Sequence, residues 1–197
     1  MTRIAKYAIP AMILGLVLAV SFALLSATSK GGSSDPVAKL ATGTLSKLDV
    51  SDRGRAISGA TFEGPDGESM TLADFGGKVT LVNFWATWCG PCEREMPSLA
   101  ALEREKGSDN FQVIAISVDA AEDKDYARER LGELANGILD FYFAPPENWD
   151  IVYESGAKGF PTTIIYDRHG EEMARLSGSA DWASPEALAL VRDVAVR

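Results

Sequence analysis

The sequence predicts an α/β protein whose central mixed sheet is flanked by helices on both faces. Three observations lead there. Residues 79–86 and 111–118 are apolar and rich in β-formers without clean alternation, as buried central strands are. Between them Met96, Leu99 and Leu102 recur at helical spacing, while Glu93, Arg94, Glu103, Arg104 and Glu105 take other positions. A strand, a helix and a strand within about 30 residues make a right-handed parallel crossover. Farther on, residues 161–166 and 171–178 flank Asp167-Arg168-His169-Gly170, an antiparallel hairpin signal. Parallel and antiparallel pairing together make the sheet mixed.

Composition narrows the function classes. The 197 residues, 46% apolar and 24% charged, suit one packed domain with an appendage rather than a disordered chain. Three of the 19 basic residues, Arg3, Lys6 and Lys30, precede the first acidic one, Asp35. The remainder therefore sets 16 positive against 28 negative side chains, or −12. Such a domain repels phosphate backbones, so no nucleic-acid partner is expected. Two cysteines and one histidine are too few soft ligands for a Cys₄ or Cys₂His₂ zinc site. No metal and no cofactor is expected.

Four segments follow from the N-terminus. Residues 1–6 are expected to form a cytoplasmic N-terminus, 7–28 a transmembrane anchor or uncleaved signal, 29–57 a tether and 58–197 the folded domain. The 23 residues between Lys6 and Lys30 carry no charge. As a helix rising about 1.5 Å per residue they span a hydrocarbon core of roughly 30 Å. A cleaved signal peptide needs an apolar stretch of about 7 to 15 residues before a small-x-small site. This stretch is longer and ends in Leu25-Ser26-Ala27-Thr28, which favours an uncleaved anchor. Arg3 and Lys6 before the span put the N-terminus in the cytoplasm and export the rest. Disulfides can persist there. Gly31-Gly32-Ser33-Ser34-Asp35-Pro36 reads as flexible, with a short helix within residues 36–48.

Pro65-Asp66-Gly67 within residues 62–70 marks a hairpin ahead of the central strands. After them come a helix over 121–135, its start at Glu122-Asp123-Lys124-Asp125 matching capping preference, a strand over 138–143 and a short helix over 147–154. The last helix takes Ser184 as N-cap and Pro185 at its first position, with Leu188, Val191 and Val194 inward.

The chemistry lies in Trp88-Cys89-Gly90-Pro91-Cys92, where the first central strand ends and a helix begins. Free backbone N–H groups at a helix start favour a thiolate at Cys89. That thiolate can attack a substrate disulfide, and Cys92, one turn along, can resolve the mixed disulfide. Pro91 preorganises the first turn, where its missing N–H costs nothing. A permanent staple across so small a loop would add little stability.

Leu72-Ala73-Asp74-Phe75-Gly76-Gly77-Lys78, Leu81-Val82-Asn83-Phe84-Trp85-Ala86-Thr87 leading into the cysteine motif, and Glu95-Met96-Pro97 resemble the TlpA/ResA/CcmG family of membrane-anchored, thioredoxin-like thiol-disulfide oxidoreductases. The resemblance continues through Gly159-Phe160-Pro161-Thr162-Thr163 and Ala180-Asp181-Trp182-Ala183-Ser184, the part most similar to TlpA, and covers residues 60–195. It implies a thioredoxin-like fold with an N-terminal hairpin and an insert over residues 119–155. It also implies Cys89 as nucleophile, Cys92 as resolving thiol and Pro161 as a cis-proline facing them. Without it, an X-Pro bond is expected to be trans.

Supporting roles stay divided at this point. Phe160 either limits access to the sulfurs or packs in the core. Trp88 shields the pair and offers substrate a flat apolar contact; Phe84, Trp85 and Trp182 are expected to pack, and Pro97 to kink the helix. Asn83 stands where cytosolic thioredoxins place a titrating aspartate. Glu95 is then either the base for Cys92 or an exposed first-turn glutamate. The Gly90-Pro91 dipeptide matches the reducing thioredoxin type, near −270 mV against roughly −120 mV for DsbA. The expected activity is reduction of exported protein disulfides by a single-pass protein of the bacterial inner membrane, its C-terminal domain periplasmic. By analogy the clients are apocytochrome c or copper-site proteins of cytochrome oxidase, and a membrane thiol transporter of the DsbD or CcdA type supplies electrons. The competing readings are a disulfide oxidase or isomerase and an anchored metal- or partner-binding module.

Overall fold

The structure is a computed structural model that describes residues 35–195. The predicted anchor, residues 7–28, lies outside the described residues, and among those described no helix is long and apolar enough to cross a membrane. In chain order the strands are β1 (Leu48–Asp49), β2 (Phe62–Glu63), β3 (Ser69–Met70), β4 (Val79–Trp85), β5 (Phe111–Ser117), β6 (Phe141–Phe143), β7 (Thr162–Tyr166) and β8 (Glu172–Ser177). The helices are α1 (Gly90–Lys106), α2 (Lys124–Leu134), α3 (Asp150–Glu154) and α4 (Pro185–Ala195).

One sheet runs in the order β1-β8-β7-β4-β5-β6-β2-β3. β4 pairs parallel with β5, and β5 with β6, while β7 and β8 are antiparallel to their neighbours. All seven residues of β4 are buried, which explains why its sequence is apolar without alternation. Trp85, Trp182, Phe62, Phe84 and Phe111 are among the largest fully buried side chains. Each contributes roughly 2–3 kcal/mol by leaving water. Pro65-Asp66-Gly67 turns β2 into β3, and Gly67, with φ 86, takes a backbone conformation that L side chains resist.

Several elements differ in extent from expectation. Asn136 and Gly137, with φ 50 and 68, close α2, and the Gly137 N–H donates to Gly132 O at 3.0 Å. The next strand therefore starts only at Phe141. Asp123 precedes α2 but makes no side-chain cap bond, so its place there is not explained by capping; Lys124 pairs instead with Glu63. The predicted helix over 147–154 is a 3₁₀ turn (Pro146–Asn148) joined through Trp149 to α3. In α4 the buried stripe is Ala187, Leu190, Val191 and Val194, and Leu188 is only half-buried.

Residues 35–57, within the span read as tether, lie against the domain. Val37 and Leu45 are fully buried, β1 pairs with β8, and the Thr44 N–H donates to Glu186 Oε1 at 3.0 Å. The short helix expected over 36–48 is two 3₁₀ turns, Ala38–Leu40 and Gly43–Leu45.

Candidate active site

β4 delivers the chain to one end of the sheet, where Ala86-Thr87-Trp88 leads into Cys89. Cys89 is the N-cap of α1 and is disulfide-bonded to Cys92. The Cys92 N–H donates to Cys89 Sγ at 3.3 Å, so the helix start already points an amide at that sulfur. Gly90 and Pro91 fill the first turn, where a proline forfeits no helical bond. The two sulfurs are not equivalent. Cys89 is 6% exposed and Cys92 0%, so an incoming disulfide can reach only the first. Pro97 lies inside α1.

Phe84 is in register with Thr162, which sets Pro161 beside the end of β4. The Phe160–Pro161 bond is cis, as the resemblance implied and against the ordinary preference for trans. Thr162 Oγ1 donates to Gly159 O at 2.7 Å and the Gly178 N–H to Pro161 O at 2.8 Å, fixing this loop from both sides. Phe160 is half-buried: it packs against the core and also meets Trp88 edge-on with ring centroids 5.8 Å apart. Trp88 is 61% exposed.

Under the cysteines lies a buried polar cluster. Glu95 is one turn past Cys92 on α1 and is 2% exposed, which overturns its reading as a surface glutamate. Its Oε1 accepts from Asn83 Nδ2 at 2.8 Å; its Oε2 accepts from the Ala180 N–H at 3.1 Å and from Trp182 Nε1 at 3.3 Å. Burial pushes the carboxyl up to about 7, and the three donors offset that only in part. Asn83 cannot carry a proton but orients the group that can. Its Nδ2 also donates to Thr163 Oγ1 at 2.9 Å, and its Oδ1 is buried without a hydrogen-bond partner. Trp182 does more than pack, since its indole N–H serves the same carboxylate.

One residue escaped the sequence reading. Asp119, fully buried just past β5, accepts from the Thr87 N–H at 3.0 Å, Thr87 Oγ1 at 2.6 Å and Ser117 Oγ at 2.8 Å. It thereby ties down the loop two residues before Cys89. The Ser117-Val118-Asp119 triplet at a strand end was the available signal, but nothing local says that its carboxylate reaches across to another strand's loop.

A cysteine pair closed at a helix start, beside a cis-proline loop on a mixed sheet, defines a thioredoxin-like thiol-disulfide exchange protein. A family model described as Redoxin matches residues 50–196, and the chain belongs to that family. It is 28% identical to the thiol-disulfide oxidoreductase ResA of Bacillus cereus over 69% of this chain and 76% of that one. With the thioredoxin-like protein YneN of Bacillus subtilis it shares 30% identity over 64% and 73% of the two chains. Among solved structures, a DsbE thiol:disulfide interchange protein from Chlorobium tepidum superposes with a TM-score of 0.62 at 25% identity, covering 73% of this chain and 98% of the other. The chain is a thiol-disulfide oxidoreductase.

Proposed function

We propose that this oxidoreductase works as a reductase of exported protein disulfides, held at the bacterial inner membrane by residues 7–28 with its catalytic domain in the periplasm. The observation that carries the reading is the pair of unequal sulfurs at the start of α1, one reachable and served by an amide, the other sealed. The Cys89 thiolate attacks a client disulfide, forming a mixed disulfide as the client's other sulfur leaves as thiolate. Cys92 then loses its proton and attacks Cys89 Sγ, releasing the second client thiolate. Two electrons pass to the client and the protein ends as the disulfide. Glu95, one turn from Cys92 and balanced near neutrality, receives the Cys92 proton directly or through water. Pro161 and Trp88 border the reacting sulfurs.

Gly90-Pro91 and the absence of a Lys or His between the cysteines support the reducing direction. A membrane thiol transporter of the DsbD or CcdA type would then re-reduce the protein, for the benefit of apocytochrome c or copper-site proteins of cytochrome oxidase. Equilibration with glutathione tests the direction: a potential nearer roughly −270 mV than roughly −120 mV is expected, and the reverse defeats the reading. Cys89→Ser should abolish insulin reduction. In membranes, Cys92→Ser should accumulate a covalent complex whose partner identifies the client.

A further inference from the structure

We propose that a pocket at the end of the sheet remote from the cysteines binds a small monocarboxylate whose apolar body is about the size of one aromatic ring. β4 runs from Val79 toward the cysteine motif, and β7 lies antiparallel to it with Thr80 opposite Tyr166. The start of β4 and the end of β7 therefore lie together, away from Cys89. There Thr80 and Val82 of β4 and Tyr166 of β7 share one face of the sheet. The 3₁₀ turn Leu72–Phe75, Ile57 and the turn over 167–170 stand around that face and leave a pocket of about 130 Å³. Leu72, Val82 and Tyr166 are buried, and Ile57 and Phe75 half-buried, so most of its wall is apolar. An apolar cavity of about 150 Å³ takes up benzene, and this pocket is matched to a single ring.

The polar groups of this pocket are rich in donors and short of acceptors. Lys78 and Arg168 bring positive charge to its lining, and Asp167 a negative one. Arg168 donates from Nη2 to Ala195 O at 3.2 Å, but its Nε is buried without a hydrogen-bond partner among the described residues. Thr80 Oγ1 accepts from Gln112 Nε2 at 3.0 Å, which leaves its own proton to give. The acceptors nearby are already engaged. Asp167 Oδ1 takes the N–H groups of His169 and Glu171 at 2.8 and 2.9 Å, and the carbonyls of Ala73, Arg168 and Gly170 take those of Gly76, Gly77 and Ile57. Of the acids beside the lining residues, Asp74 accepts from Thr71, and Glu103, within electrostatic reach of Lys78, accepts from the Val113 N–H; Glu171 is exposed. A buried guanidinium N–H without an acceptor is costly, and a carboxylate supplies the charge-assisted bond it lacks. A neutral ring would fill the apolar part and leave that N–H stranded, so the carboxylate sets the ligand class.

Benzoate and its neutral isostere benzamide test this on the full chain in detergent micelles, read by methyl NMR. Benzoate should move the methyl resonances of Ile57, Leu72 and Val82 by its ring current and reach half-saturation at about 1 mM, a modest affinity for a ligand of its size. Benzamide should need at least about fivefold more, because it cannot make the charge-assisted bonds. Lys78→Met should reduce that preference by at least about half. Ala73→Phe enlarges an exposed residue of the lining so that its ring occupies the pocket, and should abolish the shifts. Neither position borders the cysteines, so both variants should keep wild-type insulin reduction, which also reports that they fold. Failure to saturate by about 20 mM, equal binding of the two ligands, or undiminished shifts in Ala73→Phe overturns the proposal. Should Ala73→Phe fail to fold, the ratio of benzoate to benzamide affinity and its response to Lys78→Met still decide.

Discussion

Replacing Glu95 by glutamine takes a titrating group out of the interior while keeping its shape. The wild-type carboxyl moves from 4.5 in the unfolded chain to about 7 when folded, because burial disfavours its charge more than Asn83, Ala180 and Trp182 favour it. That gap corresponds to about 3 kcal/mol. Between those two pH values the folded protein keeps a proton that the unfolded chain has lost, so stability falls as pH rises through the window. Below it both states are protonated and the contribution is fully present; above it both are ionised and the contribution is gone. Glutamine removes the dependence. Its amide also fits the site, since a turned Asn83 can present the otherwise partnerless Oδ1 to the new N–H. Urea unfolding of both proteins at pH 4 and pH 8 reads the effect, and the comparison cancels the background repulsion of a −9 chain. The stability difference between wild type and variant should change by about 3 kcal/mol across that range, with the variant favoured at high pH. A change below about 1 kcal/mol would falsify the claim that burial dominates this carboxyl.

The same variant bears on catalysis: wild-type exchange should gain rate as pH rises through about 7, and Glu95→Gln should lose that inflection. An unchanged pH profile removes Glu95 from proton transfer. Asp119→Ala strands the Thr87 N–H and hydroxyl, at a cost of about 2–3 kcal/mol, and should slow insulin reduction by loosening the approach to Cys89. Asp119→Asn, which retains one acceptor oxygen, should do less harm in both assays. Arg175 is 7% exposed; it donates to Glu172 Oε1 at 2.6 Å and to the carbonyls of Ser155 and Gly156 just past α3. Arg175→Met should cost about 3–5 kcal/mol by leaving Glu172 buried and unpaired. Adding Glu172→Met should recover part of that loss in denaturation; strict additivity of the two changes would show that the pair is not coupled.

Much of the architecture was legible because it is written in short-range pattern. Uniform apolarity marked β4 and β5, a 3.6-residue period marked α1, and Pro-Asp-Gly marked the first hairpin. Element ends were less visible. Where α2 stops depends on Asn136 and Gly137 adopting positive φ, and which face of α4 turns inward depends on what the sheet presents to it. The packing of residues 35–57 was hidden for a related reason: the polar, Gly- and Ser-containing stretch looks free in isolation, yet Val37 and Leu45 find buried places against the domain.

The amino-acid order alone settled that two cysteines one helical turn apart sit where a strand meets a helix, and so settled the class of chemistry. Local spacing suffices for that, because a helix start supplies its amides wherever it forms. Only the folded chain decided the state of Glu95, the reach of Asp119 and the meeting of Trp88 with Phe160. These depend on residues 12 to 87 positions apart meeting in a low-dielectric interior or along one rim. Burial and partner geometry, which set a carboxyl's charge and a loop's rigidity, arise when layers close on one another, and no stretch of sequence carries them singly.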